Sequence, residues 1–173
     1  DNSWNGKFYL HHSFSPTQGN NPFTHGARID YRERRFAFGM EQRYVGEEYD
    51  AEVGFVPRKN YWQINPRADL FFYPQKGKVN RHGPRLRSRF LWTPEEGNTD
   101  RLMFLSWDIS FLNTSSLQFN VENEYIYLLE EFDPTRTDAT PLPGTTGYAY
   151  TRFSVEYTSD RRKTFSYRVE PTV

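Results

Sequence analysis

Arg85, Arg87 and Arg89 stand at alternate positions, so an extended strand would project three guanidiniums from one side. Such a ladder can act as an anion-attracting wall of a pore. It can equally be neutralised by carboxylates on adjacent strands. Asp69, Asp108, Glu122 and Glu124 are the acids placed to do so, because basic residues dominate some strands and acidic residues others. A self-paired charge network is therefore expected in preference to an open pore of single sign. Glu47, Glu48, Asp50 and Glu52 form an acidic stretch of the kind that can ligate Ca²⁺. Their spacing is not that of an EF-hand, and a solvated loop pinned by Arg58 or Lys59 is the expected reading.

The four histidines carry no catalytic spacing. His11 and His12 point to opposite faces of one strand, His25 precedes Asp30 in a loop, and His82 stands apart. Gly-x-Ser-x-Gly, a phosphate loop and His-Glu-x-x-His are all missing from the sequence. No enzyme, cofactor or metal site is expected. Tyr9, Tyr61, Phe71, Tyr73, Tyr148 and Tyr150 could stack on sugar rings, but filling an interior is the expected role for scattered aromatics.

Composition narrows the classes. Lys+Arg and Asp+Glu both number 22, and a chain of zero formal charge is not a general nucleic-acid binder. The lack of cysteine removes disulfides and thiolate chemistry. Aromatics reach 18% of the chain, which argues against disorder, while mean hydropathy is −0.88. No stretch has the roughly 18 apolar residues of a membrane helix. A membrane β-barrel escapes that test, since only every second residue meets lipid.

Period-2 alternation runs through the chain and places nine strands near 4–14, 26–33, 35–45, 60–73, 85–93, 101–112, 116–130, 147–158 and 163–170. Sorted by parity, one side of these strands carries 18 charged side chains, from Lys7 to Arg168. The other side carries none over the set from Phe8 to Val169, with Tyr31 last in the second strand, Met103 first in the sixth and Phe165 first in the ninth. Soluble sandwiches also have one apolar face, but globular strands cluster near five or six residues. Most strands here suit the roughly 9–11 residues of a tilted membrane crossing. Phe14, Tyr31, Tyr44, Trp92, Tyr127 and Tyr157 lie toward strand ends, where interfacial girdles belong. Long links (15–25, 46–59, 132–146) alternate with short ones, apart from a long stretch at Pro74–Pro84. The fold expected is all-β: an antiparallel transmembrane β-barrel, in the form of a partial barrel of about eight or nine strands from a larger one. Residues 1–173 form a single barrel domain or segment, read as a piece of a longer chain because it opens without Met or a signal peptide.

Tyr44–Tyr61 carries Val45, Gly46, Asp50, Glu52, Val53, Gly54, Phe55, Val56 and Arg58 in a Val-Gly, acidic, Glu-Val-Gly-Phe-Val-x-Arg pattern. This run resembles the outer-membrane proteins grouped as domain of unknown function 5916, as does Phe14-Ser15-Pro16 before a polar loop. The resemblance implies a large bacterial outer-membrane barrel that often follows a carbohydrate-binding module similar to family 9. It carries over no catalytic residue. The function expected is non-enzymatic: a channel, scaffold or partner-binding subunit, linked through the resemblance to glycan handling. Outer-membrane lipid and other outer-membrane or extracellular subunits are the expected partners. The alternative is a soluble carbohydrate-binding β-sandwich or barrel. Within Gly46–Arg58, a rim loop is expected: Gly46 and Gly54 would take φ > 0, Pro57 would open a strand, and Phe55 or Val56 would pack beneath. Arg58 would reach Glu47, Glu48, Asp50 or Glu52.

Overall fold

Side chains of a strand alternate between two faces, and the long alternating stretches of this sequence accordingly become strands. The computed structural model describes residues 3–14, 21–50, 58–136 and 140–173. The strands are β1 (Trp4–His12), β2 (Phe23–Arg32), β3 (Phe36–Val45), β4 (Tyr61–Leu70), β5 (Val79–Thr93), β6 (Gly97–Phe111), β7 (Ser116–Leu128), β8 (Thr146–Thr158) and the short β9 (Arg168–Val169). They make one antiparallel nine-stranded sheet in chain order, each strand pairing with its sequence neighbours. Links 13–22, 46–60, 94–96 and 129–145 therefore emerge at one end, the loop end. Links 33–35, 71–78, 112–115 and 159–167 emerge at the other, the turn end.

The sheet is not closed into a barrel: β1 pairs with β2 and β9 with β8, and no ladder joins β1 to β8 or β9. With nine strands in a meander, β1 and β9 run in the same direction. The antiparallel bonding that joins every other pair is thus closed to that seam. The strand positions follow the alternation closely, with two differences. β5 begins at Val79 rather than near 85, which shortens the expected long Pro74–Pro84 link. Pro84 is accommodated because it falls in a gap of the ladder on the β4 side, between the pairs Asp69↔Arg85 and Phe72↔His82, where its missing N–H interrupts no pair on that side. β9 covers only two residues of the expected 163–170, although Thr172 bridges Ser154 farther along β8.

Burial is inverted relative to a water-soluble fold. Among the described residues the buried hydrophobics are Ala37, Val45, Tyr61 and Leu91, while Thr24, Asp69, Ser106, Asn120 and Asp160 are among a larger set of buried polar residues. Phe8 is 69% exposed, Leu105 51% and Phe153 55%. A single-layer sheet explains this, because its apolar face has no second layer to cover it. The accessible surface of 12353 Å² exceeds the roughly 8,900 Å² of a compact folded monomer of this mass.

At the turn end, Asp160 fastens the 159–167 link to the 112–115 link. Its Oδ1 accepts from the Arg162 side chain at 3.1 Å, the Arg162 backbone N–H at 3.0 Å and Thr114 Oγ1 at 2.7 Å. Those hydrogen bonds, led by the Arg162 side chain, hold its carboxyl well below the usual carboxylate range. A depressed folded-state pKa contributes stability above the unfolded value of about 4, and that contribution fades as pH falls below it. The stability gap between wild type and Asp160→Asn should therefore be constant from about pH 7 to 5 and shrink below about 4. A gap indifferent to acid, in denaturation series at each pH, would remove the carboxylate charge from the account.

Candidate functional site

The register decides which charges of the polar face meet. Asp30, Gly39, Arg67, Arg87, Phe104, Glu122 and Arg152 form one row across β2 to β8. Asp69, Arg85, Ser106, Asn120 and Ser154 form the row beside it, nearer the turn end. Asp69, only 7% exposed, is shared between two guanidiniums. Arg87 Nη2 lies 2.8 Å from its Oδ1 and donates to its Oδ2 at 3.1 Å. Arg85 Nε lies 3.3 Å from Oδ1, at an angle too bent for a hydrogen bond, and Arg85 Nη2 reaches Asp108 Oδ2 at 2.8 Å. Closer to β1, Asp30 takes Arg28 Nε at 2.6 Å and also pairs with Arg67.

The Asp30–Arg67 pair spans β3 at Gly39, and a Cβ there would collide with both the guanidinium and the carboxylate. Glycine leaves the space for this close approach, and a larger residue would push the two side chains aside. The expected charge network thus assembles in part. Arg85, Arg87, Asp69 and Asp108 come together, whereas Glu122 pairs with Arg152 at 3.2 Å and Glu124 accepts from the Tyr150 hydroxyl. Arg89 is exposed and has no ion-pair partner among the described residues. Arg28, Asp30 and Arg67 extend the network without having been singled out. Their parity was visible in sequence, but their register was not.

Of the rim-loop residues, Gly46, Asp50 and Arg58 are described; Glu52, Gly54 and Phe55 lie outside the described residues, as do Val56 and Pro57. Gly46 does not have the expected positive φ. It is needed because a Cβ would strike the carbonyl oxygens of Asn21 and Phe23, where the link 13–22 crosses it. Among the described residues of this link the left-handed one is Asn60, at φ 57° just before β4. Arg58 does not turn back onto Glu47, Glu48 or Asp50: its Nη1 donates to Asp100 Oδ2 at 2.6 Å, on β6. Asp50 faces Lys59 at 3.8 Å. The reason is position, since Asn60 Nδ2 also bonds Glu95 at 2.9 Å and the link is stitched to the β5–β6 hairpin. Arg58→Ala should lower stability by about 1 kcal/mol, the scale of a partly exposed ion pair, with no response to calcium. A melting temperature raised by millimolar Ca²⁺, and not raised in Asp50→Asn, would make the acidic stretch a metal site instead.

The aromatics that could stack on sugars are dispersed. Tyr61 packs with Val45 and Leu91, Phe71 lies under Arg81 at 4.8 Å, Tyr73 under Arg34 at 5.1 Å, and Tyr150 faces Arg152 at 5.7 Å. The histidines have different neighbours: the His12 ring lies tilted beside Phe14 at 4.6 Å, His25 beside Tyr44 at 5.3 Å and His82 beside Phe72 at 5.3 Å.

The apolar face has its own order. At the loop end Tyr44 and Trp62 meet at 4.8 Å, Phe23 and Tyr44 at 5.8 Å, and Phe90 and Trp92 at 5.8 Å. At the turn end Trp4 and Tyr31 meet at 4.6 Å, Phe72 and Trp107 at 6.4 Å, and Tyr157 and Tyr167 at 5.9 Å. Rows such as Gly6–Ile29–Met40 and Leu86–Leu105–Val121–Phe153 lie between the two aromatic belts. The face expected to be free of charge has one exception among the described strand residues: Arg101 stands in the row of Ile64 and Phe90. It lies over the Tyr125 ring at 5.7 Å, one row inside the loop-end belt. No family model, curated protein or solved structure matches this chain.

Proposed function

We propose that this chain is a membrane-spanning wall of a bacterial outer-membrane β-barrel, with its apolar face to lipid and its charged face to the interior. The carrying observation is the pair of aromatic belts that bracket an exposed apolar band, whose one charge among the described residues, Arg101, stands at its edge. Phe36 and Tyr44 mark the belts on β3 and are eight residues apart, about 27 Å along the strand. At the usual tilt of about 40° the band is about 21 Å tall, close to the ~25 Å of outer-membrane barrels. Arg101 suits the same placement, since a long cationic side chain beside an interface extends toward the headgroups. The longest links share the loop end, which we assign to the extracellular side.

The role is non-enzymatic, as a channel wall, scaffold or partner-binding subunit, and the resemblance of Tyr44–Tyr61 supports membership of the outer-membrane group named above. Among the described residues the separated histidines and the mutually paired charges assemble no nucleophile, base and orienting group in one place. The test is extraction and reconstitution. The protein should need detergent to stay monodisperse and should insert into liposomes with its strands protected from protease. A monodisperse protein in detergent-free buffer would overturn the proposal in favour of a soluble β-domain.

A further inference from the structure

A hollow of about 590 Å³ on the polar face, beside β1 and the turn end, is lined by Lys7, Arg28, Arg32, Arg67 and Arg87, with Asp30 and Asp69 as its carboxylates. Five cations against two anions leave a surplus of three positive charges. Both acids are already engaged, Asp30 by Arg28 and Arg67, and Asp69 by Arg87 together with Arg85 from outside the hollow. Lys7 and Arg32 are exposed and have no ion-pair partner among the described residues. The engaged guanidiniums are held in place by their carboxylates while keeping N–H groups for a further acceptor, since each carries five donors. We propose that this hollow is a binding subsite for a multiply anionic solute of about disaccharide to trisaccharide size, carrying carboxylate or phosphate groups.

The chemistry follows from the donors. Guanidinium forks match the planar carboxylate and the phosphate edge. A concave wall with a surplus of one charge sign raises the local concentration of counter-charged solute. The volume is within the ordinary range of small-molecule sites. The inference rests on the reading of this face as the interior wall, and its test separates the two.

Titration calorimetry on the detergent-solubilised full chain would use trigalacturonate and inorganic pyrophosphate as probes, with neutral maltotriose as control. At least one anion should bind, more weakly as salt rises, and maltotriose should not. Lys7→Glu combined with Arg32→Glu should weaken anion binding at least tenfold, and Asn5→Lys should strengthen it. Arg136→Glu combined with Arg161→Glu, the same charge change on exposed links, should leave binding unchanged; circular dichroism would confirm that each variant retains its strands. Trigalacturonate binding alone would point to acidic saccharides, and pyrophosphate alone to phosphate-bearing solutes. Absence of anion binding by a folded, detergent-dependent protein would overturn the subsite and leave the barrel reading standing. Equal losses in both double variants would overturn it as non-specific attraction. A protein that is monodisperse without detergent yet binds anions would overturn the barrel reading alone.

Discussion

Leu105→Arg should destabilise the sheet in a lipid bilayer by about 2–4 kcal/mol, the cost of a cation on the lipid side of a barrel near mid-depth. Leu105 is 51% exposed and lies near the middle of β6, with Met103 and Trp107 beside it on the same face. In water the substitution would replace an exposed apolar group with a solvated one and fall within about 0.5 kcal/mol of neutral. The sign and size therefore report the solvent of this face. Leu129→Arg, on the loop-end link and also exposed, serves as the control and should cost less than about 1 kcal/mol near the interface. Urea unfolding from liposomes measures both. If Leu105→Arg were as mild as Leu129→Arg, the lipid-facing assignment would fail.

Asp69→Asn should cost about 1.5–2.5 kcal/mol. The carboxylate is buried between Arg85 and Arg87, and its loss leaves two guanidiniums short of a counter-charge. Hydrogen bonds to charged groups contribute about 1.5–3 kcal/mol. The value stays below the 3–5 kcal/mol of a fully buried broken pair because the two arginine side chains remain 33% and 37% exposed, and water screens them. Asp108→Asn should cost less, since Arg85 keeps Asp69. The same liposome unfolding series decides the matter: a loss for Asp69→Asn under about 0.5 kcal/mol would mean that the network does not hold this part of the sheet together.

The residues themselves show how far sequence reading reached. The alternation in Phe36-Ala37-Phe38-Gly39-Met40 located β3 to within a residue of its observed start, because pleating is a local property. Arg101 escapes notice as a residue of the apolar face when the apolar set of its strand is counted from Met103, although both share one parity. The register shift at Thr99, which turns that side chain into a fully buried one opposite Leu91–Trp92, has no signature in composition or spacing. Asn60 supplies a left-handed residue near the rim, and Arg58 reaches Asp100 on β6. Both outcomes depend on how the β5–β6 hairpin stands beside the link, which no local pattern records.

By itself the sequence determined which side chains share a face, because a period of two needs only the residues of one strand. The tertiary structure decided which of them meet. Sliding a strand by two residues keeps every side chain on its face yet changes every partner, so parity is legible while pairing is not. Asp69 could have faced any of Arg85, Arg87 and Arg89 on β5, and the register gives it Arg85 and Arg87 and leaves Arg89 exposed. Closure was decided at the same level: alternation made every strand fit for a barrel wall, but the hydrogen bonds of β1 and β9 leave the sheet open.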